Sequence, residues 1–450
     1  MTAAHVPDLA IVNCTALVGI AAGRAQFAPG TTIEITGGKF SRIDANPDGP
    51  SLATEVIDAQ GMVAMPGLIN THTHAAMTFL RGVGPDLTVS NWFNDFIWPM
   101  EVNVGKRDVY LGTMVAAAEM IECGVTTMAD HYFHMPEAAK AVVESGMRAN
   151  LGATFFSSQG PAGLARSIEF AEQWNGGANG RITTSIAPHA PYTVNDEDLR
   201  AAADAARRLG VKVHLHAAED VNQTKSSIAS RGATPIRVLD DTGVLDAGAI
   251  IAHGNGIVPE DIPLLTAYRD RLGVTHGPKG YLKFALGTLT PIAALRAAGV
   301  PVGYCTDGAA SNETLDILEA MRITAITQKQ IADDATYFTT GMALEMAGSE
   351  SAAVLGMRGQ LGELIVGGCA DLILVDLTGF QCQPTHDLAA ALVYSVQPSD
   401  VRTTIVDGQV LMRDRQLLTI DRDLLLAEFR LRAREITDRS HGRKIQNYAP

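Results

Sequence analysis

The middle of the chain, from residue 65 to 355, repeats one kind of unit. A short apolar run ends in a polar residue, and a segment follows whose apolar positions lie three or four residues apart. Examples are RITTSIAPH followed by DEDLRAAADAARRLG, and VPVGYCTDG followed by TLDILEAMRITAI. Strands that alternate with helices predict parallel βαβ units. About eight such strands predict an α/β fold in which the sheet closes into a (β/α)8 barrel of the TIM type.

Both ends of the chain have a different pattern. Apolar and polar residues alternate over residues 8–64 and again in ADLILVDL and VRTTIVDGQVLMRDRQLL, where VDGQ predicts a hairpin turn. We therefore expect a small β-sandwich domain built from residues 1–65 plus 356–420, and a catalytic barrel at 66–355. Residues 421–450 are predicted to form a charged amphipathic helix, which covers the surface, and a tail.

Composition narrows the class of protein. Of 450 residues, 46% are hydrophobic and 19% are charged, which is typical of a folded globular chain, and the net charge of -14 disfavours nucleic acid as a partner. No apolar run reaches the ~18 residues that span a bilayer, and the N-terminus has no basic start followed by an apolar run. Five scattered cysteines without a CxxC pair indicate neither a disulfide framework nor a thiolate zinc site. We expect a cytoplasmic protein without a membrane partner.

Most of the twelve histidines fall where predicted strands end. The carboxyl ends of barrel strands carry the active site, and residues i and i+2 of a strand face the same way, so His72 and His74 should both point into the barrel mouth. Imidazole and carboxylate groups together bind a borderline divalent cation. Their occurrence at successive strand ends therefore predicts a metal site. The polar residues at these ends are His72, His74, Asp130, His131, His189, His216, Glu219, His253, His276 and Asp307.

Each of these residues also has a simpler interpretation when it is taken alone. His216, at the end of VKVHLH, is compatible with a core histidine, and Asp307 with a cap of the following helix. His214 lies one layer deeper than His216 and is predicted to be structural. His134 stays ambiguous. Three histidines of the terminal segments are predicted to lie on the surface: His5, His386 and His441.

Several motifs carry a family resemblance. They are PGLINTHTHAAMTFLRG at 66–82, WPME at 98–101, PHAPYT at 188–193, HLHAAED at 214–220 and TDGAASN at 306–312. With these segments the chain resembles the amidohydrolase superfamily, in the branch that deaminates aminated purines and triazines. Within that branch it is most similar to the 5-methylthioadenosine/S-adenosylhomocysteine deaminases, and the resemblance covers nearly the whole chain.

The resemblance implies a site for one divalent metal ion. No lysine stands where a carbamylated bridge between two ions would be expected. Zn²⁺ is the expected ion, although Fe²⁺ or another divalent ion can use the same ligands. The implied ligands are His72, His74, His216 and Asp307.

The resemblance also implies roles in catalysis. Hydroxide from a water on the ion would attack the ring carbon that bears the amine, and Asp307 and His253 would orient that water and take its proton. Glu219 would protonate the adjacent ring nitrogen so that ammonia can leave. The implied substrate contacts are Glu101, His189 and His276.

Three departures from the family pattern concern the substrate. The seventh-strand motif usually reads His-Asn-Pro followed by Ser-Asn. In HGPKGYLKFALG, His276 and Pro278 remain, Gly277, Gly280 and Tyr281 replace the Asn and Ser-Asn, and Lys279 adds a cation. The stretch ANLGATFFSSQG after the third strand lacks an arginine that relatives often carry. His131 stands where an apolar residue is expected. The metal chemistry should survive these changes, while the identity of the substrate stays open.

We therefore predict a metal-dependent aminohydrolase that acts on an amino-substituted nitrogen heterocycle, in first place an adenosine thioether. Its partners would be this small molecule and water, and self-association into a homo-oligomer is compatible with the sequence. Two alternatives use the same hydroxide: removal of chloride or an alkylamine from an s-triazine, and deamination of a guanine-like or pterin-like ring. A different class is a non-catalytic barrel scaffold, which has no reason to keep a complete set of water-activating residues.

Overall fold

The computed structural model describes residues 6–45, 47 and 49–448, so the predicted surface position of His5 lies outside the described residues. Seventeen strands are present in this part of the chain. In chain order they are β1 (Leu9–Ala21), β2 (Arg24–Thr36), β3 (Lys39–Ala45), β4 (Glu55–Asp58), β5 (Met62–Pro66), β6 (Leu68–Thr73), β7 (Val125–Tyr132), β8 (Arg148–Phe155), β9 (Ile182–Pro188), β10 (Lys212–Ala217), β11 (Ala249–His253), β12 (Gly273–His276), β13 (Val302–Tyr304), β14 (Leu372–Asp376), β15 (Val401–Val406), β16 (Gln409–Arg413) and β17 (Gln416–Leu417).

Strands β6 to β13 form the predicted barrel. They lie side by side in chain order, each parallel to its neighbours. The last strand returns to the first, because the Thr71 hydroxyl donates to the Tyr304 carbonyl over 2.8 Å and the Asp307 N–H donates to the His72 carbonyl over 3.1 Å. The strands are buried nearly throughout, as a parallel sheet covered by helices must be.

Helices connect the barrel strands, and local signals set their ends. Asn195 caps the helix Asp196–Leu209 by accepting a hydrogen bond from the Asp198 N–H, and Gly210 ends it with a φ of 68°. Acidic residues in its first turn and arginines in its last turn complement the helix dipole. The α-helices of six or more residues are Lys106–Glu122, Met135–Ser145, Pro161–Trp174, Asp196–Leu209, Val221–Arg231, Pro235–Asp241, Ile262–Ala267, Pro278–Lys283, Ile292–Ala297, Ile317–Ala332, Thr340–Glu345 and Arg422–Ile436.

The remaining strands, β1 to β5 and β14 to β17, form a β domain from both chain ends, as predicted. Hydrogen bonds link them into one mixed sheet, in which the antiparallel pair β5–β14 joins the two ends and β4 lies parallel to β1. The hairpin predicted at VDGQ is confirmed: Val406 lies opposite Gln409, and Asp407 and Gly408 both have positive φ, at 52° and 77°. The predicted domain limits themselves stay a prediction.

A buried ion pair joins this sheet to the amino end of the barrel. Arg148, the first residue of β8, is 3% exposed and donates two hydrogen bonds to the Asp371 carboxylate, at 2.8 and 3.1 Å. A third hydrogen bond, of 3.1 Å, reaches Asp407 in the β15–β16 turn. The guanidinium charge is therefore fully paired where the two parts of the chain meet.

The C-terminal helix Arg422–Ile436 packs on the helix Lys106–Glu122, in agreement with the predicted amphipathic helix. Arg432 donates two hydrogen bonds to Asp108, at 2.7 and 3.0 Å, and the Phe429 ring stacks on Phe79 at 4.0 Å. Within the described residues, no helix is both long enough and apolar enough to cross a membrane.

Candidate active site

Four side chains from distant parts of the sequence converge at the carboxyl end of the barrel. His72 and His74 come from the end of β6, His216 from β10, and Asp307 from the loop after β13. The Nε2 atom of His74 lies 3.1 Å from Asp307 Oδ1 and 3.2 Å from Nε2 of His216. The Nε2 atom of His72 lies 3.5 Å from Asp307 Oδ1. The structure thus brings together the four residues that the resemblance implied as metal ligands.

The hydrogen bonds behind these rings determine where their lone pairs point. The Nδ1–H of His74 donates to the His131 carbonyl over 2.6 Å, and the Nδ1–H of His216 donates to the His189 carbonyl over 2.9 Å. A neutral imidazole carries one N–H, so both Nε2 atoms keep their lone pairs. Two lone pairs that face each other at 3.2 Å repel unless a cation or a proton lies between them.

The donor set and its spacing fit a divalent ion. Around a tetrahedral ion with bonds of ~2.1 Å, ligand atoms lie ~3.4 Å apart. The separations here are 3.1, 3.2 and 3.5 Å, and buried His72 Nε2 has no hydrogen-bond partner among the described residues. Three imidazoles and one carboxylate suit an ion of intermediate hardness.

The charges around Asp307 also favour a bound cation. Burial opposes the ionisation of Asp307, but the close contacts with the His72 and His74 rings outweigh it and hold the pKa of the carboxyl well below its usual range. Burial also lowers the pKa of His74, while the contact with Asp307 raises that pKa, with a net value of about 9. The carboxylate is therefore negative and holds positive charge beside it, which a metal ion can supply in place of the proton.

Two features support the cluster from behind. His214, predicted to be structural, is fully buried, and its Nε2 lies 2.9 Å from His72 Nδ1, so it orients the His72 ring. Asp307 and His253 both adopt positive φ, at 57° and 79°. Positive φ costs energy in a non-glycine residue, and both residues adopt it at the carboxyl end of the barrel.

His253 lies directly beside the cluster. Its ring stacks on His216, 5.3 Å away and 14° from parallel. Its Nδ1 lies 3.3 Å from the hydroxyl of Tyr281, which also accepts a hydrogen bond of 3.0 Å from the Gly277 N–H. Tyr281, one of the departures from the family motif, therefore holds His253 in place.

Glu219 follows β10 and faces the same cavity. The Gln223 side chain is bonded to it twice: its amide donates to Glu219 Oε1 over 3.0 Å, and its carbonyl accepts the Glu219 N–H over 2.8 Å. Burial raises the pKa of Glu219 to about 7, and hydrogen bonds from Gln223 and Tyr192 offset this only in part. The carboxyl group can therefore both carry and release a proton near neutral pH.

Two of the three predicted substrate contacts line the cavity. Glu101 is 6% exposed and accepts a hydrogen bond of 2.6 Å from the Tyr132 hydroxyl, and burial raises its pKa to about 7. His189 lies 4.7 Å from the Phe156 ring, and its Nδ1 is 2.8 Å from the Thr193 hydroxyl oxygen.

His276 is placed differently. It is fully buried, its Nδ1 lies 3.0 Å from the Thr290 hydroxyl oxygen, and it does not line the cavity. Gly277 and Tyr281 line the wall above it, because the residues after β12 turn into the helix Pro278–Lys283 and bring the Tyr281 ring over His276.

The cavity at this end of the barrel is largely apolar, and the space within it, including the open mouth, amounts to about 950 Å³. Sequence reasoning assigned no role to several residues of its wall. His131 was visible as a polar strand end, whereas the aromatic side chains follow no periodic signal. The aromatic residues of the wall are Trp92, Phe93, Trp98, Tyr132, Phe133, Phe156, Tyr192, Tyr281, Phe284 and Tyr448.

The family of the chain follows from a comparison with known proteins. Residues 63–411 match the amidohydrolase family, over more than half of the chain. The chain belongs to the amidohydrolase family. The family and the enzyme class that the motifs indicated are therefore confirmed, together with the barrel.

Several amidohydrolases of known name are similar over most of their length. The 5-methylthioadenosine/S-adenosylhomocysteine deaminase of Pelotomaculum thermopropionicum is 43% identical over 385 residues, which are 85% of this chain and 88% of that protein. The 5'-deoxyadenosine deaminase of Methanosarcina acetivorans is 38% identical over 415 residues, 91% of this chain and 94% of that protein.

Solved structures show the same architecture. An adenosine deaminase from Xanthomonas campestris with bound zinc superposes with a TM-score of 0.90 at 32% identity, covering 96% of this chain and 98% of that one. The zinc complex of atrazine chlorohydrolase from Arthrobacter aurescens TC1 has a TM-score of 0.85 at 23% identity, covering 94% and 100%, and this likeness concerns the fold alone.

Proposed function

We propose that this amidohydrolase is a metal-dependent deaminase of adenosine thioethers, of the 5-methylthioadenosine or S-adenosylhomocysteine type. The observation that carries the proposal is the cluster of facing donor atoms, with Glu219 beside it, at the end of an aromatic cavity of about 950 Å³. Its aromatic lining suits a flat heterocycle with an apolar substituent. Relatives at 43% and 38% identity bear the names of such deaminases.

His72, His74, His216 and Asp307 would hold the ion. We propose zinc, because nitrogen donors outnumber oxygen donors and a similar structure at 32% identity contains zinc. A divalent ion held there lowers the pKa of a water so that hydroxide is available near neutral pH.

The chain's own residues would then handle the protons. Asp307 and His253 orient the water and accept its proton as oxygen bonds to the ring carbon. Glu219 gives its proton to the adjacent ring nitrogen, which takes the electron pair of the broken ring double bond. The amine then receives the proton that Asp307 or His253 accepted and leaves as ammonia, while the new hydroxyl group returns a proton to Glu219 and becomes the carbonyl.

Residues further along the cavity would bind the rest of the substrate. Glu101 is proposed to accept hydrogen bonds from sugar hydroxyls, and His189 to contact the purine. Aromatic walls such as Trp98 and Phe156 offer flat apolar faces to the heterocycle. His276 is left without a substrate contact because it lies below this wall.

Ammonia release from a panel of compounds tests the proposal. We expect the highest kcat/KM with 5-methylthioadenosine and S-adenosylhomocysteine, and lower values with adenosine, guanine and pterins. Release of chloride or alkylamine from s-triazines should be much slower. Faster release from a triazine than from any purine would contradict the proposed function.

We also propose a cytoplasmic protein without a nucleic-acid partner, whose possible self-association is open to measurement. The net charge of -14 supports the lack of a polyanionic partner, and all five cysteines are free and buried. The domain limits at residues 65/66 and 355/356 also remain our proposal.

A further inference from the structure

The described residues that follow the C-terminal helix contribute to the cavity at the carboxyl end of the barrel. After the helix Arg422–Ile436, residues 437–448 run back to the cavity mouth. The Asn103 amide donates to the carbonyls of Ile436 and Asp438, at 3.0 and 2.7 Å, and the Arg439 guanidinium lies 4.1 Å above the Phe96 ring. The tail is therefore fastened to the loop after β6, which also supplies Trp98 and Glu101 to the cavity.

The last described residues of the tail are held at two backbone positions. The Asn94 side chain bonds the Tyr448 backbone twice: its Oδ1 accepts the Tyr448 N–H over 2.9 Å, and its amide donates to the Tyr448 carbonyl over 3.2 Å. The Ile445 N–H donates to the Trp98 carbonyl over 3.2 Å. These bonds fix both the position and the direction of Tyr448.

The Tyr448 side chain forms part of the cavity wall. It is 9% exposed, and its ring stacks on Phe93, 4.8 Å away and 13° from parallel. The Trp98 and Tyr192 rings lie 6.3 and 5.9 Å away. Burial raises the pKa of its phenol, so the group stays neutral. Tyr448 thus presents an uncharged aromatic face to the cavity, which suits an apolar group of the substrate.

We propose that Tyr448 is a specificity-determining residue, and that the C-terminal tail is the element that places it. In the proposed function, on which this inference rests, Glu101 contacts the sugar. Trp98 lies three residues before Glu101 on the same short helix, and Tyr448 packs beside Trp98. The apolar group attached to the sugar then packs against the aromatic face of Phe93, Trp98 and Tyr448. This wall favours a thioether substituent over a free sugar hydroxyl.

The test compares variants of the full chain on two nucleosides. Tyr448→Ala should raise KM for 5-methylthioadenosine roughly tenfold, change kcat little, and raise KM for adenosine much less, since the lost contact is with the apolar substituent. Tyr448→Phe should resemble the wild type. Asn94→Ala should shift KM in the same direction by a smaller factor, because it releases the tail backbone. Tyr394→Ala, a partly exposed tyrosine away from the cavity, is the matched control and should leave both constants unchanged.

Binding of 5-methylthioadenosine by calorimetry, in a Glu219→Gln background that slows turnover, separates the two proposals. Weaker binding with Tyr448→Ala supports the role of the tail even if the wild type deaminates no adenosine thioether. Turnover of the thioether with an unchanged KM in Tyr448→Ala overturns the role of the tail and leaves the proposed function standing. If the wild type neither binds nor deaminates the nucleoside, both proposals fall.

A lowered Tm or metal content in Tyr448→Ala, with KM rising equally for both nucleosides, would show a structural role only and overturn the inference.

Discussion

The two ends of the barrel each bury polar groups, and the two clusters differ in how completely these are paired. At the amino end, Arg148 meets Asp371 and Asp407 through three hydrogen bonds of 2.8 to 3.1 Å. At the carboxyl end, His72 Nε2 has no hydrogen-bond partner among the described residues, and the lone pairs of His74 and His216 face each other at 3.2 Å. A paired buried charge can serve the fold alone, whereas convergent donors without partners are arranged to hold a proton or a cation.

We therefore expect buried polar groups to stabilise the fold at the amino end of the barrel and to bind an ion at the carboxyl end. Changes at the amino end should cost folding free energy and leave the chemistry intact. Changes at the carboxyl end should remove the ion and lower turnover, while the free energy of unfolding should change little.

Asp307→Asn should have the largest effect. The amide keeps the shape and tolerates the positive φ, but it removes the negative charge that holds a cation. We expect ammonia release to fall on the order of 10³-fold or more, with loss of the bound ion. Asp333→Asn, at an exposed position with a φ of 50°, is the matched control and should behave as the wild type. An Asp307→Asn protein with a full complement of metal and normal turnover would refute the assignment.

Glu219→Gln should remove the proton donor and leave the ion in place. We expect turnover to fall by about 10³-fold, within the usual range for a general acid. Metal analysis of the same sample should match the wild type, because Glu219 is not among the proposed ligands. Loss of metal together with turnover would instead place Glu219 in the metal site.

Arg148→Met tests the opposite end. It leaves Asp371 buried without its partner, and we expect the free energy of unfolding to fall by about 3–5 kcal/mol, measured with urea. The folded fraction should keep its kcat and its metal. Arg148→Met combined with Asp371→Leu should recover part of the loss, since the charge that remains, on Asp407, is partly exposed to water. A drop in kcat with an unchanged free energy of unfolding would show that the amino end also serves catalysis, and would contradict the difference between the two ends.

The pH dependence should be the smallest of these effects. Burial raises the pKa of Glu219 to about 7, so the carboxyl group keeps its proton below that value and loses it above. Because the protonated form is the donor, kcat should decline as the pH rises through about 7, and the residual activity of Glu219→Gln should lack this decline. Measuring kcat from pH 5 to 9 for the wild type and for Glu219→Gln checks both expectations. If the variant shows the same decline as the wild type, the titrating group is not Glu219.

The barrel, the composite β domain and the gathering of polar side chains at the strand ends were predictable from the sequence, for a physical reason. Parallel strands buried on both faces leave an apolar pattern in the chain, and histidines that interrupt it at strand ends are conspicuous. The turn at Asp407 and Gly408 was equally readable, because positive φ at two successive residues favours that residue pair.

Other features follow from packing between distant segments, which leaves no local pattern. His276 occupies a strand end like His253, but the Tyr281 ring covers it, so only one of the two lines the cavity. Tyr448 belongs to a tail without periodicity, and its place depends on Asn94, 354 residues earlier in the chain. Such contacts depend on the assembled fold, so the lining of the cavity was less predictable than its donor atoms.

Metal content, measured together with activity on the purified chain, tests the central claim most directly. We expect about one divalent ion per chain. A chelator should remove the ion and abolish ammonia release, and added Zn²⁺ should restore both. A chain that is free of metal after chelation and still releases ammonia at the full rate would contradict that claim.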